Sequence, residues 1–155
     1  MAIEIERKFR VVDSAWMSSV SRRRRIRQAY LTKNGRVAIR IRIDGEDRAT
    51  LTIKTAQPAV LRHEYEYDIP IEDAEELLGL RDGAVIEKTR HEVPIGEVVW
   101  EIDVFAGENA GLVIAEVELV NGDQEFCRPS WVGEEITHDR RFYNADLAKR
   151  PFGSW

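Results

Sequence analysis

The chain has 155 residues, 43% of them hydrophobic and 33% charged, with a formal net charge of −5. One globular domain spanning 1–155 is expected, long enough to bury a real core, and the acidic balance argues against nucleic acid as the main partner. No run approaches the ~20 apolar residues of a membrane-spanning helix, the start has no signal-peptide character, and the single cysteine, Cys127, excludes an intrachain disulfide, so a cytoplasmic location is expected.

Turn signals divide the chain at short intervals: Asn34-Gly35, Asp44-Gly45, Asp82-Gly83, Gly96 and Asn121-Gly122 lie between runs rich in Val, Ile and Thr, as hairpins require. In chain order these runs predict eight strands, at 3–11, 27–32, 36–44, 48–55, 62–70, 84–94, 97–105 and 112–120. Helices are few and short. "DSAWMSSVS" (13–21) opens on an Asp N-cap candidate, "IEDAEELLGL" (71–80) follows Pro70, and the tail is partly helical around "NADLAKR" (144–150). No repeat or linker divides the chain. Mostly adjacent strands joined by hairpins point to a mainly β antiparallel barrel or sandwich.

The strands share one pattern. In "EIERKF" Glu4, Glu6 and Lys8 oppose Ile3, Ile5 and Phe9, with Arg7 the exception; Arg40 and Arg42 oppose Val37, Ile39, Ile41 and Ile43. Lys54 shares a face with Thr50 and Thr52, Glu64 with Glu66 and Asp68, Lys88 with Arg90, Glu101 with Asp103, and Glu116 with Glu118; in "QAYLT" the polar set is Gln28, Tyr30 and Thr32. Solvent-facing sheet surfaces commonly alternate in this way. Here, however, like charges stand two apart on one face, which repels unless opposite charge lies between them. Two architectures fit: an eight-stranded closed barrel with a wet, charged lumen and its apolar faces outward, or a sandwich with a dry core and solvated charges. Periodicity does not choose between them.

In a barrel the lumen would hold carboxylates (Glu4, Glu6, Glu64, Glu66, Glu101, Asp103, Glu116, Glu118) and cations (Lys8, Arg40, Arg42, Lys54, Lys88, Arg90) together. Buried charge of either sign is costly unless paired or met by a ligand. Carboxylates without Cys or His suit Mg²⁺ or Mn²⁺, and clustered Arg and Lys suit phosphate, so a metal–polyphosphate complex answers both demands. His63 and His91 fall on the opposite faces of their strands, His138 lies in the tail, and Cys127 has no motif partner, so no zinc or thiol site is read. The run "RRRR" (22–25) is read as a solvated face without a functional role.

"EIERKF" resembles the E-x-E-x-K strand of the CYTH group of triphosphate tunnel metalloenzymes. The resemblance continues in order through "RIR" (40–42), "LTIK" (51–54), "EYE" (64–66), "EKTR" (87–90), "WEIDVF" (100–105), "AEVEL" (115–119) and "FYNADLA" (142–148). With "QAYL" (28–31) and little beyond the barrel, the chain looks most like the short bacterial inorganic tripolyphosphatases of that group. The resemblance implies the eight-stranded tunnel fold and metal-dependent hydrolysis of tripolyphosphate to diphosphate and phosphate. It implies Mg²⁺ or Mn²⁺ held by Glu4, Glu6, Glu116 and Glu118, and triphosphate bound by Lys8, Arg40, Arg42, Lys54, Lys88 and Arg90. Tyr30 and Lys88 match a pair that handles the nucleophilic water; Glu64, Glu66, Glu101 and Asp103 would support metal or cations. Other activities of the group are thiamine triphosphatase, nucleoside triphosphatase and class IV adenylyl cyclase, and a non-enzymatic polyphosphate-binding module is the alternative of another class. The expected partner is a small anionic triphosphate, without nucleic acid or membrane, in a chain that forms a homodimer if its outward apolar faces are left uncovered.

Overall fold

The computed structural model describes residues 2–155. Its strands are β1 (Ile3–Val11), β2 (Arg22–Lys33), β3 (Val37–Asp44), β4 (Arg48–Thr55), β5 (Leu61–Ile69), β6 (Asp82–Ile95), β7 (Val98–Phe105), β8 (Val113–Glu118) and β9 (Val132–Glu135). Helix α1 (Ile71–Leu78) follows β5 and α2 (Asn144–Leu147) lies in the tail. The strands pair antiparallel in the order β5-β4-β3-β2-β6-β7-β8-β1, and β5 returns to β1 to close the barrel. The sandwich is thereby excluded, and the eight-stranded barrel stands.

The closing seam is short: Ile3↔His63, Glu4↔Arg62 and Ile5↔Leu61. Further along the same edge of β1, the unexpected strand β9 takes over with Phe9↔Glu135 and Val11↔Val132. Between the two, Glu6 N–H donates to Val60 O and Lys8 N–H to Thr137 Oγ1 at 3.0 Å, so the β1 backbone stays satisfied where neither strand reaches it. Arg7, the exception in the apolar face of β1, reaches Glu135 of β9 at 3.3 Å.

Three apolar clusters hold the barrel. Outside β2–β4, Ala29, Ile41, Ile43 and Ala49 are buried under Ala74 and Leu78 of α1. That helix has apolar residues at 71, 74, 77 and 78, the spacing of one helical face, and Glu72 and Asp73 lie at the positive end of its dipole. Outside β1, β7 and β8, Phe9, Trp100 and Val117 pack against Trp16 and Trp131, with Phe9 and Trp131 each 5.5 Å edge-on from Trp100. Trp16 sits on a 3-10 turn, Ala15–Ser19, where a longer helix was expected. The third cluster lies inside. Ile86, Phe105 and Ile114, in line with the charged positions of β6, β7 and β8, meet Phe142 and Leu147 from the tail and plug one end of the lumen.

The outer side of β5 keeps Leu61, Tyr65 and Tyr67 about half exposed. No helix among the described residues is long and apolar enough to cross a membrane.

Candidate active site

Antiparallel partners share a sheet face, and the register brings the lumen charges together in a defined order. Glu6 stands opposite Glu118 and Lys8 opposite Glu116 between β1 and β8. Glu101 faces Glu116, Arg90 faces Asp103, Arg42 faces Gln28 and Arg40 faces Tyr30, and Lys54 faces Glu64. The result is a cavity of about 250 Å³ whose walls include Glu4, Glu6, Lys8, Tyr30, Arg40, Arg42, Lys54, Glu64, Glu66, Lys88, Arg90, Glu101, Glu116 and Glu118. Of the residues singled out in the sequence only Asp103 stands behind this wall, fully buried beneath two of its cations.

The acidic side is laced by two lysines. Lys8 Nζ lies 2.7 Å from Glu116 and 3.3 Å from Glu6, and Lys54 Nζ lies 3.1 Å from both Glu4 and Glu64. The Glu4 contact is an ion pair by distance but poorly aimed: Oε2 is buried and accepts no hydrogen bond. Burial opposes the Glu4 charge, but Lys54 together with hydrogen bonds from Glu64 and Glu6 outweighs it and holds the carboxyl at about 2. At Glu6 burial, with Glu116 and Glu4 close by, pushes the carboxyl well up despite Lys8 and Lys54. Burial and the neighbouring Glu4, Glu101 and Glu64 raise Glu118 as well. The acidic side thus carries more negative charge than its lysines balance. Among the described residues no three of these carboxylates converge as a ready metal cage, because the ammonium groups stand between them.

The basic side leans on neutral acceptors. Arg40 donates to Thr52 Oγ1 at 3.2 Å, and its buried Nε has no acceptor. Arg42 Nε donates to Gln28 Oε1 at 2.7 Å. Burial, with Arg40 and Arg90 close by, lowers Arg42 to about 10, still cationic at neutral pH. The exceptions are Arg90 and Lys88, which share Asp103; that carboxylate grips Arg90 in a fork at 2.7 and 2.8 Å. Lys88 Nζ donates to Asp103 at 2.7 Å and to Asn144 Oδ1 at 3.0 Å. Burial lowers the Lys88 ammonium, Asp103 pulls it back, and Arg90 and Arg42 lower it again, leaving it at about 7. Burial disfavours the Asp103 charge, but Arg90 and Lys88 hold that carboxyl at about 2.

Several wall residues escaped the sequence reading. Arg62 shares the inward parity of Glu64 in "RHEYE", the signal that would have found it; its guanidinium donates to Thr55 O and lies 4.9 Å over the Tyr143 ring, on which Lys8 also rests at 4.9 Å. Tyr143, Asn144 and Asp146 come from the tail, and Asp146 holds Lys33 at 2.6 Å. Arg24 corrects the reading of "RRRR" as solvated: β2 begins at Arg22, so Arg24 points inward and binds Asp44 at 3.0 Å and Glu101 at 3.3 Å. His63, His138 and Cys127 are exposed, and His91 packs on Trp16 outside the barrel.

With this geometry in place, comparison with known proteins is informative. The CYTH domain profile matches residues 2–148. An inorganic triphosphatase of Acetivibrio thermocellus is 40% identical over 153 residues, 98% of this chain and 97% of that one. An inorganic triphosphatase of Nitrosomonas europaea is 37% identical over 152 residues, 94% of this chain and 96% of that one. The solved inorganic triphosphatase NE1496 superposes with a TM-score of 0.64 at 35% identity, covering 96% of this chain and 95% of its own. Profile, sequence and fold agree that this chain belongs to the CYTH domain family.

Proposed function

We propose that this protein is an inorganic triphosphatase that hydrolyses tripolyphosphate to diphosphate and phosphate inside its tunnel. The observation that carries the reading is the division of one cavity into a cation-rich side, where Arg40 and Arg42 rest on neutral acceptors, and a carboxylate side with charge to spare. An oxygen-dense anion bridged to a hard cation completes both. The homologous inorganic triphosphatases, aligned over nearly the whole chain, support the same substrate.

Glu4, Glu6, Glu116 and Glu118 fit a Mg²⁺ or Mn²⁺ ion: all are hard oxygen donors, Glu4 has an oxygen without a hydrogen bond, and Glu6 is raised by burial together with its like-charged neighbours. Such an ion would neutralise phosphate oxygens as charge builds on the leaving diphosphate. The rest is the work of the chain. Arg40, Arg42, Lys54 and Arg90 hold the phosphates, and Lys8 couples the two sides through Glu116, which also lies 3.5 Å from Arg90. Positioning and charge neutralisation supply most of the rate in phosphoryl transfer. Water attacks the terminal phosphorus in line, the bridging P–O bond breaks with its electrons on diphosphate, and the water proton passes to Lys88 Nζ. A lysine at about 7 is half neutral at physiological pH and can accept it. Tyr30, buried on the same wall, orients that water. Glu64 and Glu66 steady Lys54 and Arg40 at 3.1 and 3.9 Å, and Glu101 steadies Arg90.

The lone, exposed Cys127 fits a reducing cytoplasm as the working location. A second copy of the chain is the macromolecular partner in this reading, seated on the exposed outer side of β5; sedimentation at twice the chain mass is the expected result, and a monomer at all concentrations removes it. The function itself is tested by phosphate release from tripolyphosphate, ATP and thiamine triphosphate side by side. Tripolyphosphate is expected to be fastest; a faster organic triphosphate would reassign the substrate.

A further inference from the structure

The tail does more than plug the barrel. Asn144, at the start of α2, is buried, and its Oδ1 accepts from two residues of the barrel wall: Gln28 Nε2 at 2.9 Å and Lys88 Nζ at 3.0 Å. The amide orientations follow from the inventory of donors. Arg42 Nε can only donate, so Gln28 turns Oε1 toward it at 2.7 Å and presents its NH₂ to Asn144. Asn144 must then offer oxygen, which is also what Lys88 requires. The nitrogen of Lys88 has three positions beyond its carbon. Asp103 takes one at 2.7 Å, Asn144 takes another, and the third is left to the cavity that Lys88 lines.

We propose that Asn144 is a positioning residue for Lys88: with Asp103 it occupies two of the three nitrogen positions and fixes the remaining one, lone pair or proton, toward the reacting phosphate. The claim rests on the triphosphatase reading for its consequence, though not for its geometry. A neutral amide is what the place demands. A carboxylate there would keep a proton on Lys88 and repel the anionic substrate, whereas an apolar side chain would leave Lys88 free to swing and the buried Gln28 NH₂ with only a long 3.5 Å contact to the Tyr30 hydroxyl. The same bridge ties Lys88 to Arg42 through two side-chain amides, setting the spacing of two cations without adding charge. The tail is held in place for this by Gly83. At φ +84° and without a Cβ, which would come within 2.8 Å of Ala148 O, it lets Ala84 N–H donate to that carbonyl at 2.9 Å.

The test uses the full chain with Asn144→Ala, Asn144→Asp and, as a control that loosens the tail elsewhere, Lys149→Ala, which removes an exposed pair with Asp82. With tripolyphosphate and Mg²⁺, Asn144→Ala is expected to lower kcat by about 10-fold or more with KM within about threefold, while Lys149→Ala stays near wild type. In the metal-free protein, the ¹⁵N signal of Lys88 Nζ gives a readout without turnover. Its titration midpoint is expected to rise by about one pH unit in the isosteric Asn144→Asp, which also serves if Asn144→Ala does not fold. An unmoved Lys88 midpoint, or a kcat loss in Lys149→Ala as large as in Asn144→Ala, overturns the proposal. Absence of hydrolysis in the wild type would sink the triphosphatase reading alone, with the Lys88 titration still deciding the position of Asn144.

Discussion

The two sides of the tunnel grow from the same two-residue alternation, yet they settle their charges differently. On the β1–β8 side the carboxylates are bridged by lysines, and the excess shows at Glu6 and Glu118, whose carboxyls are pushed up. On the β2–β3–β6 side Arg40 and Arg42 lean on Thr52 and Gln28, while Lys88 divides itself between Asp103 and Asn144; burial first, and then the crowding of cations, lowers Arg42 and Lys88. Asp103 is the buried carboxylate that anchors this side. Buried charge held by neutral dipoles, as at Arg40 and Arg42, keeps more of its affinity for a counterion than charge already paired, as at Arg90. The difference grades how far each residue serves binding and how far it serves folding.

The sharpest break falls at Asp103. Asp103→Ala leaves Lys88 in the interior without its counterion and Arg90 with only the longer contacts to Glu101 and Glu116, and is expected to cost about 3–5 kcal/mol in urea unfolding. The sign with pH follows: the Asp103 carboxyl lies at about 2 in the fold against an ordinary 3.8. Its stabilisation is therefore full above pH 3.8 and lost as pH falls from there toward 2. The wild type should lose stability over that interval by more than the variant does; parallel acid melts would contradict the assignment.

Lys88 comes next. If its neutral form takes the water proton, kcat/KM rises with pH through about 7 and then levels. Lys88→Met should lose that limb and roughly 10²-fold or more in kcat; retention of the limb would assign it to another group. Arg42→Ala is expected to raise KM for tripolyphosphate roughly 10- to 100-fold, the worth of a charge-assisted contact. Relief of its burial and of its crowding by Arg40 and Arg90 should keep the stability change within about 1 kcal/mol. A large stability loss with unchanged KM would move Arg42 to the folding side of the comparison.

The smallest effect on the fold is expected at Glu6. Because its carboxyl is raised above 4.5 in the fold, ionising it costs stability as pH rises beyond that value. Glu6→Gln should therefore match or exceed the wild type by up to about 1 kcal/mol near pH 7, while the Mg²⁺ concentration needed for half-maximal rate increases. Destabilisation with unaltered metal dependence would show that Glu6 serves only to hold Lys8.

The strands of the barrel could be read because each repeats one signal over many residues, inward charge against outward Val, Ile and Leu. The limits of β1 and β4 agree with the expected 3–11 and 48–55. The signal failed where other forces set the structure. Strand β9 has only Val132–Glu135, too short for a period to register, and forms because it covers the β1 edge left by β5. The first turn of β2 was hidden because four consecutive arginines erase the contrast between faces, although Arg23 and Arg25 are exposed where Arg24 is not. The role of Asn144, within the quoted "FYNADLA", was beyond reach for another reason. It acts across 56 residues of chain from Lys88 and 116 from Gln28, and no local pattern encodes which end of a barrel a tail will enter.

The most direct measurement is phosphate release from tripolyphosphate by the purified chain, with Mg²⁺ or Mn²⁺ and again with a chelator. Metal-dependent turnover to one phosphate and one diphosphate, with binding weakened in Arg42→Ala and Arg90→Ala, is the predicted result. Tight tripolyphosphate binding without release under any metal would contradict it, leaving a tunnel that holds its ligand and does not cut it.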